Sequence, residues 1–406
     1  MTFVFIVYDT PGVACPPKGW GSVESLVCDY KTYLEELGHK ASIIRDANLQ
    51  KVIDKVNQCR PDVVHSHWKH SMQIMRRINA PVKILSAHSG WGPESALRGF
   101  NFHFNHLSQY LVDGWVWAAL SPAWEKTLLD FGYHPAEIFV APNGADHRRY
   151  RFRKTPLHAG RSLWLGRIQP RKRPMLFQAI DSLDFVGPHP EDDERFDKTR
   201  ENYLGEWTRE HLYGHLSDYA NLVILSESEA AAPLVILEAL VCGLGVVVSA
   251  GAAANLDTRL PWIRVIPEEK ITDIAFVEAE IARNREIALR HREQIREYGI
   301  GNFSWEKLVP RYADLCRKLY DEKIARQGFL PRKVDTLRRL FHILPTLHRF
   351  TVREVLLMFR QLFRSAPPLE HSVLIRRIAY NEEHKTRVFY PRRAQLWHNF
   401  AVQDVS

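Results

Sequence analysis

The chain has 406 residues, 45% apolar and 25% charged, a globular composition that excludes a disordered or fibrous protein and predicts two to three domains. Its net charge of +8 sits at one end: residues 326–406 hold fifteen Lys and Arg against six Asp and Glu, so the first 325 residues are almost neutral. A neutral body is a poor nucleic-acid cradle, and no nucleic-acid partner is expected.

FVFIVY (3–8) is a short apolar run bounded by Asp-Thr-Pro-Gly and is predicted as a strand. It lacks a basic leader and reaches an acid at Asp9, so no signal peptide is expected. Cys15, Cys28, Cys59, Cys242 and Cys316 form no C-x-x-C pair and leave one over, which fits a reduced, cytoplasmic protein better than a disulfide framework or a zinc site. Leu26, Val27, Tyr30, Leu34 and Leu37 recur at helical spacing, and Gly38 stops the helix. Further strands are predicted at ASII (41–44), DVVHSH (62–67), VKILSAH (82–88), GWVWAAL (114–120) and EIFVAP (137–142). Near-continuous apolar strands alternating with helices predict a parallel sheet covered on both faces.

HRRYRFRKTPLHAGR (147–161) reads as a basic linker. A second series follows at SLWLG (162–166), LDFVG (183–187), NLVIL (221–225), VVVS (246–249) and IRVI (263–266), with helices expected over 172–181, 208–217, 233–242 and 273–297. The uncharged run 239–256 has the length of a membrane span, but Gly243, Gly245 and Gly251 interrupt it, so it reads as a helix followed by a buried strand. The prediction is two doubly wound α/β units in series, whose ligands bind beyond the carboxyl ends of the strands.

Three loops carry chemistry. In PPKGWGSVE (16–24), Gly19 and Gly21 precede a helix that begins near Ser22, so backbone N–H groups can approach an anion at its positive end. Glu24 replaces the third glycine of the dinucleotide pattern G-x-G-x-x-G, which counts against an NAD enzyme; an ordinary glycine turn is the plain alternative. In GRIQPRKRP (166–174), Arg167 leaves a strand end and Lys172 opens the next helix. A bidentate guanidinium and a compact ammonium together suit a diphosphate. A solvated basic turn is the alternative, and Arg171 and Arg173 fit it. In ESEAAAPLVILEALVCGLGVVVS (227–249), Glu229 and Glu238 flank a helix start, with Pro233 in its first turn. They either grip sugar hydroxyls or complement the helix dipole.

These loops and PNGAD (142–146) stand in the order and spacing of the retaining family-4 glycosyltransferases of the GT-B fold, which the sequence resembles over about residues 1–325. LEELGHKASII, PDVVHSH and FSWEKL add to the likeness. The resemblance implies an α/β protein of two Rossmann-like domains facing across a cleft, the acceptor side over 1–150 and the donor side over 151–300. A helix over 301–325 would cross back to the first domain, and 326–406 would be a basic extension. The donor is a nucleoside-diphosphate sugar, with no other cofactor. No metal is implied, since no Asp-x-Asp motif stands at a strand end. By the same resemblance Arg167 and Lys172 would bind the donor diphosphate, Glu238 the ribose and Glu229 the sugar hydroxyls. The Gly19–Trp20–Gly21 turn and the backbone around Leu234 would contact phosphate. His88 would stand beside the transferred sugar, and Asn143 and Gly144 would line the cleft. The family separates its glutamates by seven residues, whereas eight lie between Glu229 and Glu238. Strict spacing puts Ala230 at the first position, and Glu229 serves only through a one-residue bulge.

His65, His67, His70, His88, His103 and His106 fall within 42 residues. No acid or cysteine stands at ligand spacing nearby, so cleft-lining or core roles rank above zinc. Trp207 lies where a nucleobase could stack, although core packing is the commoner role for a tryptophan. In the extension, Val352, Val355, Leu356, Phe359, Leu362 and Phe363 recur at helical spacing beside Arg353, Arg360 and Arg364. Such a helix packs on its own body, the preferred reading, on a second subunit, or peripherally on an anionic membrane. The expected function is retaining transfer of a sugar to a hydroxyl of a glycan or lipid-linked saccharide. The alternatives are a same-fold epimerase or phosphorylase and, in another class, a catalytically weak sugar-nucleotide-binding subunit.

Overall fold

The computed structural model describes residues 1–7, 9, 12–67, 74–86, 88, 115–130, 138–189, 195–227, 229 and 231–325. His70, His103, His106, Ala230 and the extension 326–406 with its amphipathic segment lie outside the described residues. The chain divides into two compact units, neither of them continuous in sequence. One comprises Met1–Tyr8, His39–Val140 and the chain from Leu315; the other comprises Asp9–Gly38 and Ala141–Asp314.

The first unit holds six parallel strands, β1 (Thr2–Ile6), β2 (Lys40–Ile44), β3 (Val63–Ser66), β4 (Val82–Leu85), β5 (Trp115–Ala119) and β6 (Ile138–Val140), in the order β2-β1-β3-β4-β5-β6. Val4 lies opposite Val64 and His65 opposite Ile84, so β3 is paired on both sides. In α2 (Leu49–Gln58) the side chain of Asn48 accepts from the N–H groups of Gln50 and Lys51 and caps the amino terminus. Its Val52, Ile53 and Val56 pack with Val4, Ile6, Val64 and Leu85. Pro122–Asp130 forms α3.

The second unit holds five parallel strands, β7 (Ser162–Leu165), β8 (Leu183–Val186), β9 (Asn221–Ile224), β10 (Gly245–Ser249) and β11 (Ile263–Ile266), in the order β11-β10-β9-β7-β8. Alternation along the strands feeds two cores. Leu163, Leu165, Leu222, Ile224, Val246 and Val248 join one cluster, and Trp164, Val223, Leu225 and Val247 join the other. A sheet buried on both faces explains why these strands read as unbroken apolar runs. Its helices are α1 (Ser22–Glu36), α4 (Pro174–Phe177), α5 (Arg209–His215), α6 (Leu234–Val241) and α7 (Ile274–Phe303), and α8 (Trp305–Ala325) begins here.

The structure corrects four expectations. No helix runs over 172–181: one 3-10 turn, Pro170–Lys172, is followed by Arg173 at φ 57° and then α4. Prolines 170 and 174 impose this, because proline lacks an N–H and keeps the residue before it out of helical geometry. Lys172 therefore closes a turn instead of opening a helix. Pro233 caps α6 from outside its first turn. The segment 147–161 is no free linker: Tyr150 is buried, Arg151 N–H donates to Tyr213 O at 2.9 Å, and Arg153 N–H donates to Ser217 Oγ at 2.8 Å. Finally, α7 continues to Phe303, past the predicted end at 297. The uncharged run 239–256 is divided among the end of α6, a turn with Gly243 at φ +78°, β10 and a 3-10 turn. Among the described residues no helix is long and apolar enough to cross a membrane.

Candidate active site

In the second unit the strand order turns back between β7 and β9, and ligands of open α/β sheets bind beyond the carboxyl ends of strands at such a point. The loop after β7 carries Gly166, Arg167 and the turn Pro170–Lys172; the loop after β9 carries Glu227 and Glu229. Glu227 N–H donates to Arg171 O at 2.9 Å and joins the two loops. Lys172 Nζ lies 3.2 Å from Glu229 Oε1, and Arg171 lies 3.5 Å from Oε2. A Cβ on Gly166 would stand 3.5 Å from Lys172 Cδ and 3.8 Å from Nζ, so the ammonium lies over this backbone. Burial pushes the Glu229 carboxyl up, but Lys172 and Arg171 outweigh it and hold it below its ordinary range. Glu229 is thus an ionised carboxylate that reaches the cations despite the irregular spacing. Arg171 and Arg173 are not simply solvated: the first pairs with Glu229, the second with Glu268 and Glu227.

The glycine turn is built on contacts from the same unit. Trp20 is 47% exposed, and the Arg167 guanidinium lies 5.7 Å from its ring centroid. Trp20 N–H donates to Glu206 Oε1 at 3.3 Å, and a Cβ on Gly19 would fall 2.5 Å from that oxygen. Gly21 has φ +135°, and a Cβ there would meet Pro17 and Val13 at 2.9 Å. Gly21 requires glycine, whereas a side chain at position 19 would displace the flexible Glu206 tip and its bond to Trp20.

Arg209 is a residue that sequence reasoning missed. Its N–H donates to Lys18 O at 2.7 Å, one guanidinium nitrogen donates to Glu238 Oε1 at 2.7 Å, and another donates to Ser25 Oγ at 2.7 Å. It ties the glycine turn, α1 and α6 together. The Arg209 and Glu238 side chains are 13% and 7% exposed. One signal was available: a cation in the first turn of α5 opposes the helix dipole, so it needs a partner elsewhere.

Leu234 opens α6, and Asn143 is buried. A Cβ on Gly144 would lie 2.8 Å from Phe303 O and 2.9 Å from the Trp305 ring, so close packing requires this glycine. Trp207 packs against the core beside His211 and Tyr219.

In the first unit, His65 lies on β3, His67 just after it and His88 after β4. His67 Nδ1 and His88 Nε2 are 2.8 Å apart. Burial pushes all three imidazoles down, His88 to about 4, so the cluster is neutral near pH 7. Among the described residues no group of three or more His, Cys, Asp or Glu is arranged to hold a metal ion.

Residues 15–149 match the model of Glycosyltransferase Family 4. Solved structures resemble the chain at low identity. AviGT4, a glycosyltransferase involved in Avilamycin A biosynthesis, is 20% identical with a TM-score of 0.57, over 79% of this chain and 99% of that one. HepE of Anabaena in complex with UDP-glucose is 13% identical with a TM-score of 0.57, over 78% and 100%. The lipopolysaccharide outer core galactosyltransferase WaaB is 14% identical with a TM-score of 0.53, over 81% and 100%. No curated protein matches the sequence. Residues 15–149 thus carry the match to a family 4 glycosyltransferase domain, and the two parallel sheets are those of the GT-B fold.

Proposed function

We propose that the protein transfers a sugar from a nucleoside diphosphate to a hydroxyl of a glycan or lipid-linked acceptor, with retention at the anomeric carbon. One observation carries the reading: Arg167, Arg171 and Lys172 stand on the loop after β7, where the β7/β9 sheet order reverses, and Arg171 and Lys172 pair with Glu229 on the loop that leads to α6. Such a cationic site suits a diphosphate leaving group. The bond from the anomeric carbon to the leaving phosphate oxygen breaks, and the acceptor oxygen bonds to that carbon on the same face. The acceptor proton passes to the departing phosphate, so no protein nucleophile is required. Arg167 and Lys172 stabilise the charge that builds on the diphosphate. Glu229 holds the Lys172 ammonium and accepts from a sugar hydroxyl; Glu238, fixed by Arg209, accepts from the ribose. By the same reading His88 serves the transferred sugar, and the glycine turn and the α6 amides near Leu234 contact phosphate.

UDP-glucose, the ligand of the Anabaena neighbour, is the first donor to test. A thermal-shift panel of UDP-, GDP-, ADP- and CDP-sugars identifies the donor, since a ligand of the native form raises its melting temperature. Donor hydrolysis or transfer by the purified chain then decides the reaction. Binding without turnover would favour a sugar-nucleotide-binding subunit. No metal takes part in this scheme, so turnover is expected to survive EDTA. A lipid-linked acceptor would place the basic extension at an anionic surface, and flotation with anionic liposomes, with and without residues 326–406, tests that location.

A further inference from the structure

We propose that His67 is a positioning residue for His88: it holds that ring in one orientation and one neutral tautomer, leaving Nδ1 as the nitrogen offered to a sugar hydroxyl. The proposal rests on the reading that places His88 beside the transferred sugar.

Position comes from the sheet. His67 N–H donates to Ile6 O at 2.9 Å, continuing the ladder one residue past β3, and Ser86 N–H donates to Ser66 O at 2.9 Å on the other side. This register brings the two imidazoles together with centroids 5.0 Å apart and planes 26° from parallel. The bond between His67 Nδ1 and His88 Nε2 is the only hydrogen bond of the His88 ring among the described residues. A neutral imidazole carries one proton, so a fixed role for Nε2 in this bond fixes the role of Nδ1.

His67 is itself held. Its ring centroid is 4.0 Å from that of His65 and 5.8 Å from that of Phe5. His65 does not turn freely: the Ser86 hydroxyl donates to Ala118 O at 3.2 Å and so accepts from His65 Nε2, 2.9 Å away. The Ser86 contact sets the tautomer of His65, which meets His67 as a packed ring; the tautomers of His67 and His88 are tied to each other by their shared hydrogen bond, in a column whose outermost, half-buried member is His88. An imidazole that bonds and orients a functional imidazole acts on chemistry it never touches.

The test uses the full chain labelled with ¹⁵N-histidine, with His88 assigned through His88→Gln. Long-range ¹H–¹⁵N spectra should show wild-type His88 as a single neutral tautomer. His67→Phe keeps a ring against Phe5 and His65 but removes the nitrogen. It should give His88 averaged tautomers and about a tenfold lower kcat, with donor KM within about twofold. His67→Asn, with a polar atom near the Nδ1 position, should restore the single tautomer and most of kcat. If His67→Phe does not fold, His67→Gln takes its place, because its amide lies nearer the Nε2 position. An unchanged single His88 tautomer in the variant would overturn the proposal. If His88→Gln turns over like wild type while His67→Phe still averages the tautomers, the role of His88 in transfer fails and the coupling of the two rings stands.

Discussion

At the scale of single residues, the cations at the β7/β9 reversal make the firmest predictions. Lys172→Ala and Arg167→Ala should remain folded and lose on the order of a hundredfold in turnover, since one preorganised charge partner contributes roughly 3–4 kcal/mol at a transition state. Near wild-type rates in both, measured by transfer under saturating donor, would remove the diphosphate assignment. Arg209 behaves differently because its partner is buried with it. Arg209→Met strands the Glu238 carboxylate and should cost about 3–5 kcal/mol in urea denaturation, and adding Glu238→Leu should recover much of that. The histidine column sets a pH dependence. Its imidazoles titrate below their ordinary value, His88 at about 4, so between roughly pH 6.5 and 4 the unfolded chain binds more protons than the folded one. Stability present above pH 6.5 is therefore lost as pH falls through that window. His88→Gln should flatten the loss by about 2 kcal/mol in urea melts at pH 7 and 4.5. The placing of Arg167, Lys172 and Glu229 on strand-end loops was legible in the sequence, because charge beside glycine and proline interrupts the apolar pattern of strand and helix. Arg209 was not, because Lys18 and Ser25 approach it from nearly two hundred residues away along the chain.

Helices and strands were legible to different degrees. Among the described residues all eleven strands stand where apolar runs were read; the inner strands, buried on both faces, leave the clearest trace, and the edge strands β2 and β6 a shorter one. Helix ends were less legible, for reasons of packing. Gly299 and Gly301 look like terminators, yet α7 includes both. A Cβ on Gly299 would stand 2.5 Å from the Leu240 carbonyl carbon and 2.7 Å from Val241 N, so this glycine is where α7 meets α6 backbone to backbone. Nothing lies within 4 Å of a Cβ on Gly301. Gly301→Ala should hold stability level or raise it by up to about 1 kcal/mol, following helix propensity. Gly299→Ala should lower it by about 1–3 kcal/mol despite the same propensity gain, because backbone cannot yield as a side-chain tip does. Melting temperatures of the two variants, compared side by side, check both statements.

For the molecule as a whole, the sequence conveyed two doubly wound sheets in series but not the grouping of chain segments. The second unit takes in α1 through bonds that no local pattern announces: Trp305 Nε1 donates to Asp29 at 2.9 Å, the Tyr33 hydroxyl donates to Asp146 at 2.7 Å, and Arg149 pairs with Asp29 at 2.8 Å. The polypeptide passes from one unit to the other at residues 8/9, 38/39, 140/141 and 314/315. Cloning from a single start to a single stop therefore cannot isolate either body intact. A nick near residue 155 should leave two fragments that still migrate as one particle, the shorter donating a helix to the longer, and only denaturant should part them.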